Sequence, residues 1–179
     1  MEDGTYQGGS YILEIIRLWE QDVPQVQELL TDVVSRLPSD ALYSTTGFDA
    51  LYEYVEQKGE MYGVYQGDAL VAYTVIAFPG LSAGNLGREF GVPEAELSRV
   101  ASLEGTIVHE SVRGRGLQRH FNAWREQRAR EKDMLYLYAT VHPDNAVSRQ
   151  NLEAAGLTLQ FSRPMYGGLP RHCYAKKLF

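Results

Sequence analysis

The sequence predicts an α/β fold: one mixed, twisted sheet of about seven strands, antiparallel at both ends, with a parallel pair at the centre and helices on both faces. Two observations carry this. Residues 61–65 and 69–78 are rich in β-branched and aromatic side chains and flank Gln66-Gly67-Asp68, a tight-turn sequence, so they form a hairpin. Farther along, residues 102–110, 117–133 and 135–141 read as strand, helix and strand, a unit whose strands run parallel through a right-handed crossover.

The remaining elements follow in order. Residues 11–18 form the first strand, and Asp22-Val23-Pro24 supplies a helix N-cap with proline in the first turn. Val26, Leu29, Leu30, Val33, Val34 and Leu37 recur at three- and four-residue spacing, one apolar stripe that Pro38 ends. A short helix covers 48–57. Residues 79–100 are a long connection with Gly80, Gly84, Gly87 and Gly91 and a short helix at 93–98; such connections are commonly functional. A last helix, 145–155, stops at Gly156, and strands 157–162 and 172–179 flank a turn at 166–170.

Composition narrows the function classes. A length of 179 residues with 44% hydrophobic residues suits a single domain spanning 1–179. The longest nearly apolar stretch, 69–78, is half the roughly 20 residues a membrane span needs. Met1-Glu2-Asp3-Gly4 lacks the basic start of a secretory signal, and Cys173 is the only cysteine, so the cytoplasm is the expected compartment. A net charge of −6 argues against nucleic-acid and membrane partners, while a homodimer stays open. Charge is unevenly spread. Residues 113–132 carry seven basic and two acidic side chains, +5, which leaves −11 on the rest.

That basic segment begins at Val112-Arg113-Gly114-Arg115-Gly116-Leu117-Gln118, between the predicted strand and the long helix. Glycines there uncover backbone N–H groups and the first helical turn adds partial positive charge, which suits a diphosphate; a simple left-handed helix entry with no ligand is the alternative. A Rossmann turn fits poorly, because its third glycine would fall at Arg119. The segment resembles the coenzyme A turn of the GNAT superfamily of N-acetyltransferases: Arg or Gln, two residues, Gly, one residue, Gly or Ala. Arg113 and Gly116 match; Gln118 departs from the last position. Val141-His142-Pro143-Asp144-Asn145, with Ser148, Asn151 and Gly156, is similar to the family's later segment, in which a strand ends, an Asn opens a helix and a Gly closes it.

The resemblance implies an acetyl-CoA site where the parallel strands splay apart. The pantetheine arm would pair with backbone near Thr106, Ile107 and Val108, the diphosphate would sit over Arg113, Gly114, Arg115, Gly116, Leu117 and Gln118, downstream basic residues would meet the 3′-phosphate, and Asn145, Ser148 and Asn151 would line the far side. No metal is implied. The acceptor would be a small-molecule or peptide amine, attacking directly within a ternary complex. Strict alternation puts Ser102, Glu104, Thr106 and Val108 on one face, making Glu104 the candidate general base. The family's usual acid, a Tyr, is replaced by Leu152; His142, Tyr138, Tyr166 and Tyr174 are substitutes, although a histidine closing a strand also commonly bonds backbone. The other function class is an acyl-CoA-binding regulatory domain without catalysis, which Leu152 favours. Residues 35–48 and 79–100 are expected to wall the acceptor site, with one of Tyr62 and Tyr65, and Glu89, Glu94 and Glu96 favour a cationic acceptor.

Overall fold

In a computed structural model, which describes residues 4–8, 11–43 and 48–179, one eight-stranded sheet runs in the order β1-β2-β3-β4-β5-β6-β8-β7. The strands are β1 Gly4–Gly8, β2 Tyr11–Leu18, β3 Gly59–Gln66, β4 Ala69–Ala77, β5 Val100–Val108, β6 Tyr136–Val141, β7 Thr158–Met165 and β8 Leu169–Lys177. The helices are α1 Val23–Val34, α2 Phe48–Glu53, α3 Leu117–Glu131 and α4 Ala146–Ala154. The expected mixed sheet is present with one more edge strand, β1, whose short, glycine-flanked sequence carries no apolar alternation to announce it.

Local chemistry explains the boundaries. The β3–β4 hairpin closes over Gly67-Asp68, with Gly67 at φ +61°, the left-handed conformation that such two-residue turns require. Asp22 precedes α1 without capping it; its carboxylate accepts instead from the Trp19 amide at 2.8 Å and from the Tyr65 hydroxyl at 3.1 Å. The helix predicted at 48–57 is α2 followed by a wider turn, Tyr54–Lys58, and that at 93–98 is a tighter turn, Glu94–Arg99. β7 and β8 run closer together than predicted, because Met165 already pairs with Leu169.

Two apolar clusters cover the two faces. Ile76, Leu103, Leu117, Phe121 and Leu152 pack between the sheet and α3 and α4; Leu18, Val26, Leu30, Val33, Tyr73 and Ile107 pack beneath α1. Phe121 and Trp124 belong to the first cluster, the core role that their spacing gives them.

The central feature is where β5 and β6 part. They pair in parallel from Val100↔Tyr136 to Leu103↔Ala139, and there the ladder ends although both strands continue. At the same level β5 bulges: Thr74 pairs with Thr106 and Ile76 with Leu103, two steps on β4 against three on β5. The extra residue corrects the expected alternation. Leu103 packs toward α3 and Ile107, four residues on, toward α1, so Glu104 and Thr106 do not share one face in strict alternation.

Candidate active site

A cleft of about 1530 Å³ opens where the ladder stops. Glu104, His142 and all the residues assigned to the cofactor line it except Arg115, whose guanidinium donates to the Ser111 carbonyl at 3.2 Å.

One mouth is made of backbone. Gly114 and Gly116 adopt φ +74° and +78°, and Gly116 starts α3 without a side chain to cap the first-turn N–H groups. Space is open where a Cβ of Gly114 would stand. Beyond Leu103 the β6-facing edge of β5 has no partner strand. Uncapped amides beside an open strand edge suit a diphosphate followed by an amide-bearing arm, so these residues fit coenzyme A. The side chains here serve largely as struts. Arg113 Nε donates to the Val108 carbonyl at 3.0 Å, Thr106 and Thr74 share a hydroxyl bond of 2.7 Å, and the Ile107 side chain is buried in the cluster beneath α1. Asn145 caps α4 by accepting from the Ser148 amide at 3.1 Å. Asn151 donates to Gln118 Oε1 at 2.8 Å, and Gln118 Nε2 lies 3.4 Å from Ser148 Oγ, so Gln118 ties α3 to α4.

The basic segment divides. Arg113 and Arg119 line the cleft, but Arg128 and Lys132 pair with Glu60, and Arg130 with Glu126. These downstream cations are engaged within the fold rather than grouped for a 3′-phosphate. At Glu60 burial pushes the carboxyl up, yet the bonds from Arg128 and Tyr62 and the charge of Arg17 prevail and bring it down to about 2.

The opposite mouth is made of side chains. Glu104 lies at the bulge, where burial raises its pKa above the ordinary 4.5 while the Arg125 charge opposes the rise. Arg125, 2% exposed, donates to the carbonyls of Val75 at 3.0 Å and Glu104 at 3.1 Å and to Asn122 Oδ1 at 2.6 Å, which pins the bulge from below. The Tyr43 hydroxyl occupies the space that a Cβ of Gly105 would need, and it bonds the Tyr73 hydroxyl at 3.3 Å. Burial raises Tyr43, Tyr54 and Tyr166, and the Glu104 charge adds to each rise; all three phenols line the cleft with this carboxyl.

Among the substitutes for the missing tyrosine, Tyr166 and His142 line the cleft; Tyr138 stacks on Phe90 at 4.0 Å, and Tyr174 donates to Glu153. The Tyr166 hydroxyl meets Thr140 Oγ1 at 3.0 Å. His142 Nδ1 accepts from the Asp144 amide at 3.1 Å, the backbone bond typical of a strand-closing histidine. Leu152 is buried in the core.

Of the two segments expected to wall the acceptor site, one lines the cleft. Leu37, Ala41, Leu42 and Tyr43 form one wall, while residues 44–47 lie outside the described residues. None of residues 79–100 reaches the cleft; Phe90 covers Tyr138 and Phe161 instead. Tyr62 and Tyr65 do point to opposite faces, but neither enters the cleft: Tyr62 donates to Glu60 and Tyr65 to Asp22. Glu89, Glu94 and Glu96 bond Arg163, Arg88 and Tyr136 respectively, which removes the electrostatic argument for a cationic acceptor. The wall that sequence reasoning missed is the β7–β8 hairpin, which brings Leu169 and Arg171 beside Tyr166. Its signal, Tyr-Gly-Gly-Leu-Pro-Arg, reads as an ordinary turn.

No family model matches the sequence, and no curated relative matches it. Solved structures do, over nearly the whole chain. The chain is similar to yncA of Salmonella typhimurium, described provisionally as an acetyltransferase and solved with its cofactor acetyl-CoA: TM-score 0.70, 16% identity, 93% of this chain and 94% of that one. It is also similar to the GNAT domain of S. lividans PAT, with TM-score 0.71, 14% identity and coverage of 98% and 97%. A third is the ribosomal-protein-S18-alanine N-acetyltransferase of Escherichia coli, with TM-score 0.65, 14% identity and 92% of each chain. The chain therefore has the GNAT fold. No helix among the described residues is long and apolar enough to cross a membrane.

Proposed function

We propose that the protein is an acetyl-CoA-dependent N-acetyltransferase acting on a primary amine by direct attack. One observation carries this reading: the parting of β5 from β6 opens a single cleft with an uncapped, glycine-entered helix at one mouth and a buried carboxyl, Glu104, at the other. The fold it shares with acetyltransferases supports it.

When bound, acetyl-CoA supplies an acetyl thioester, so that a C–N bond forms as the C–S bond breaks and coenzyme A departs as the thiol. The chain's residues meet the two remaining demands. A lysine-like amine, with pKa near about 10.4, must lose a proton before attack, and Glu104, its pKa raised above the ordinary 4.5 by burial, accepts it directly or through water. Tyr166, kept protonated by its raised pKa, is the phenol at hand to donate to the departing sulfur, and it regains a proton, directly or through water, as the new amide nitrogen sheds its second one. Direct attack is favoured because the single thiol, Cys173, is buried at the Met165 sulfur and lies outside the cleft.

Leu152 gives the regulatory reading its support, since a CoA-binding domain that had lost catalysis would need no acid. The test is incubation with acetyl-CoA and a broad amine panel, reading free thiol. Amine-dependent thiol release is expected; tight acetyl-CoA binding with no release on any amine would replace the enzyme by the regulator.

A further inference from the structure

Arg171 in β8 is 3% exposed and lines the acceptor mouth. Its Nη1 donates to the carbonyls of Ala41 at 3.1 Å and Pro170 at 2.8 Å. Those bonds engage one of the three guanidinium nitrogens, and among the residues whose side chains the structure describes no carboxylate forms an ion pair with it. Burial disfavours its charge, and the group that opposes this is Tyr166, whose ring centre is 5.8 Å from Cζ. Arg125, equally buried, differs: it donates to three oxygens and feels the Glu104 charge.

A desolvated guanidinium without an anion is costly, and its planar fork matches a carboxylate. Glu104, Tyr166 and Arg171 line the same cleft, and Arg171 Cζ stands 5.8 Å from the Tyr166 ring centre, so the proton acceptor and this cation face one shared space. We propose that Arg171 is the anion seat of the acceptor site and that the acceptor is a small amino-carboxylate, its carboxylate forked on Arg171 and its amine presented to Glu104. The inference rests on the acetyltransferase reading and gives it a substrate class. In the transfer one ammonium proton passes to Glu104, the freed amine nitrogen bonds the acetyl carbon, the C–S bond breaks, the second nitrogen proton offsets the one taken up by the departing sulfur so that coenzyme A leaves as the thiol, and the carboxylate on Arg171 is unchanged. A purely cationic amine would meet an unpaired arginine at this wall. A phosphate-bearing amine would ask for more positive charge than one guanidinium supplies.

The experiment compares amino acids with their own carboxamides. Thiol release is measured at one pH for each pair, on the native chain, Arg171→Met and Arg171→Lys. Carboxamide amines are more readily deprotonated, so the bias runs against the expected result. The native chain should favour carboxylates at least tenfold in kcat/KM, mainly through KM; Arg171→Met should reduce the preference to about twofold, and Arg171→Lys should keep part of it. Calorimetric binding of N-acetyl amino acids and N-acetyl carboxamides is run in parallel and needs no turnover. Equal use of both members by the native chain, or a preference that survives Arg171→Met, would overturn the anion seat while leaving acetyl transfer standing. If no amine is turned over, carboxylate-dependent binding that Arg171→Met abolishes upholds the seat as the enzyme reading falls, and equal binding of both ligands overturns the seat. Should Arg171→Met fail to fold, the same ratios in Arg171→Lys decide.

Discussion

On one side of the gap between β5 and β6 the cleft is made of backbone; on the other it is made of side chains drawn from distant parts of the chain. The cofactor mouth consists of two left-handed glycines, the first turn of α3 and an unpaired strand edge, all within residues 104–120. The acceptor mouth assembles Tyr43, Tyr54, Glu104, Tyr166 and Arg171, which meet only after the sheet has formed. A backbone surface depends on conformation and is insensitive to most side-chain changes. A side-chain surface can change its ligand by one substitution without changing the fold.

The largest expected effect is at Glu104, where the two halves meet. Glu104→Gln should lower kcat about 10²- to 10⁴-fold, with acetyl-CoA affinity by calorimetry altered much less. The native rate should rise with pH as the carboxyl ionises above its ordinary 4.5, and the variant should lose that limb. Stability moves the other way. Because burial raises this pKa, the folded chain holds the proton more tightly than the unfolded one; the contribution is full below pH 4.5 and declines as pH rises through the folded value. Glu104→Gln should therefore raise Tm at pH 8 and change it little at pH 4. A variant that keeps native turnover at every pH would remove Glu104 from the chemistry.

Next comes the backbone surface. Gly116→Val places a β-branched residue at φ +78° where the amides of α3 must be approached, and acetyl-CoA affinity should fall at least tenfold. Gly114→Ala has open space for its methyl and pays only for its φ, roughly 1–2 kcal/mol of stability, so its loss of affinity should be smaller. If Gly116→Val binds acetyl-CoA as the native chain does, the ligand does not use this mouth.

The same contrast decides what could be read from the sequence. The strand, turn and helix around Val112 to Gln118 are contiguous, and glycines at fixed spacing announce positive φ, so the conformation of this turn was legible down to individual residues. Glu104 was legible as well, although for an incomplete reason: alternation placed it, whereas the bulge orients it, and a bulge depends on pairing between β4 and β5 that spacing in one strand does not reveal. Strand β1 and the β7–β8 wall were not legible, since edge pairing and a turn that folds over a distant cleft leave no local signature. Charge counting misled in both directions, because each of these side chains has a partner of its own: Glu94 and Arg130 nearby in sequence, in Arg88 and Glu126, and Glu89, Glu96, Arg128 and Lys132 far away, in Arg163, Tyr136 and Glu60.

The smallest expected effect concerns the one side chain that spans the backbone mouth. Gln118 stands where the GNAT turn has Gly or Ala, and its amide engages Asn151 at 2.8 Å and Ser148 at 3.4 Å. As a strut between α3 and α4 it adds about 1 kcal/mol, so Gln118→Ala should lower Tm by about 2–4 °C. The substitution also frees the Asn151 amide and clears the approach to the helix N-terminus, so acetyl-CoA affinity should rise, by about threefold or less. The sign is the point of the measurement: a tenfold loss of affinity would make Gln118 a ligand of the diphosphate rather than a strut, and the cofactor mouth would then depend on a side chain as the acceptor mouth does.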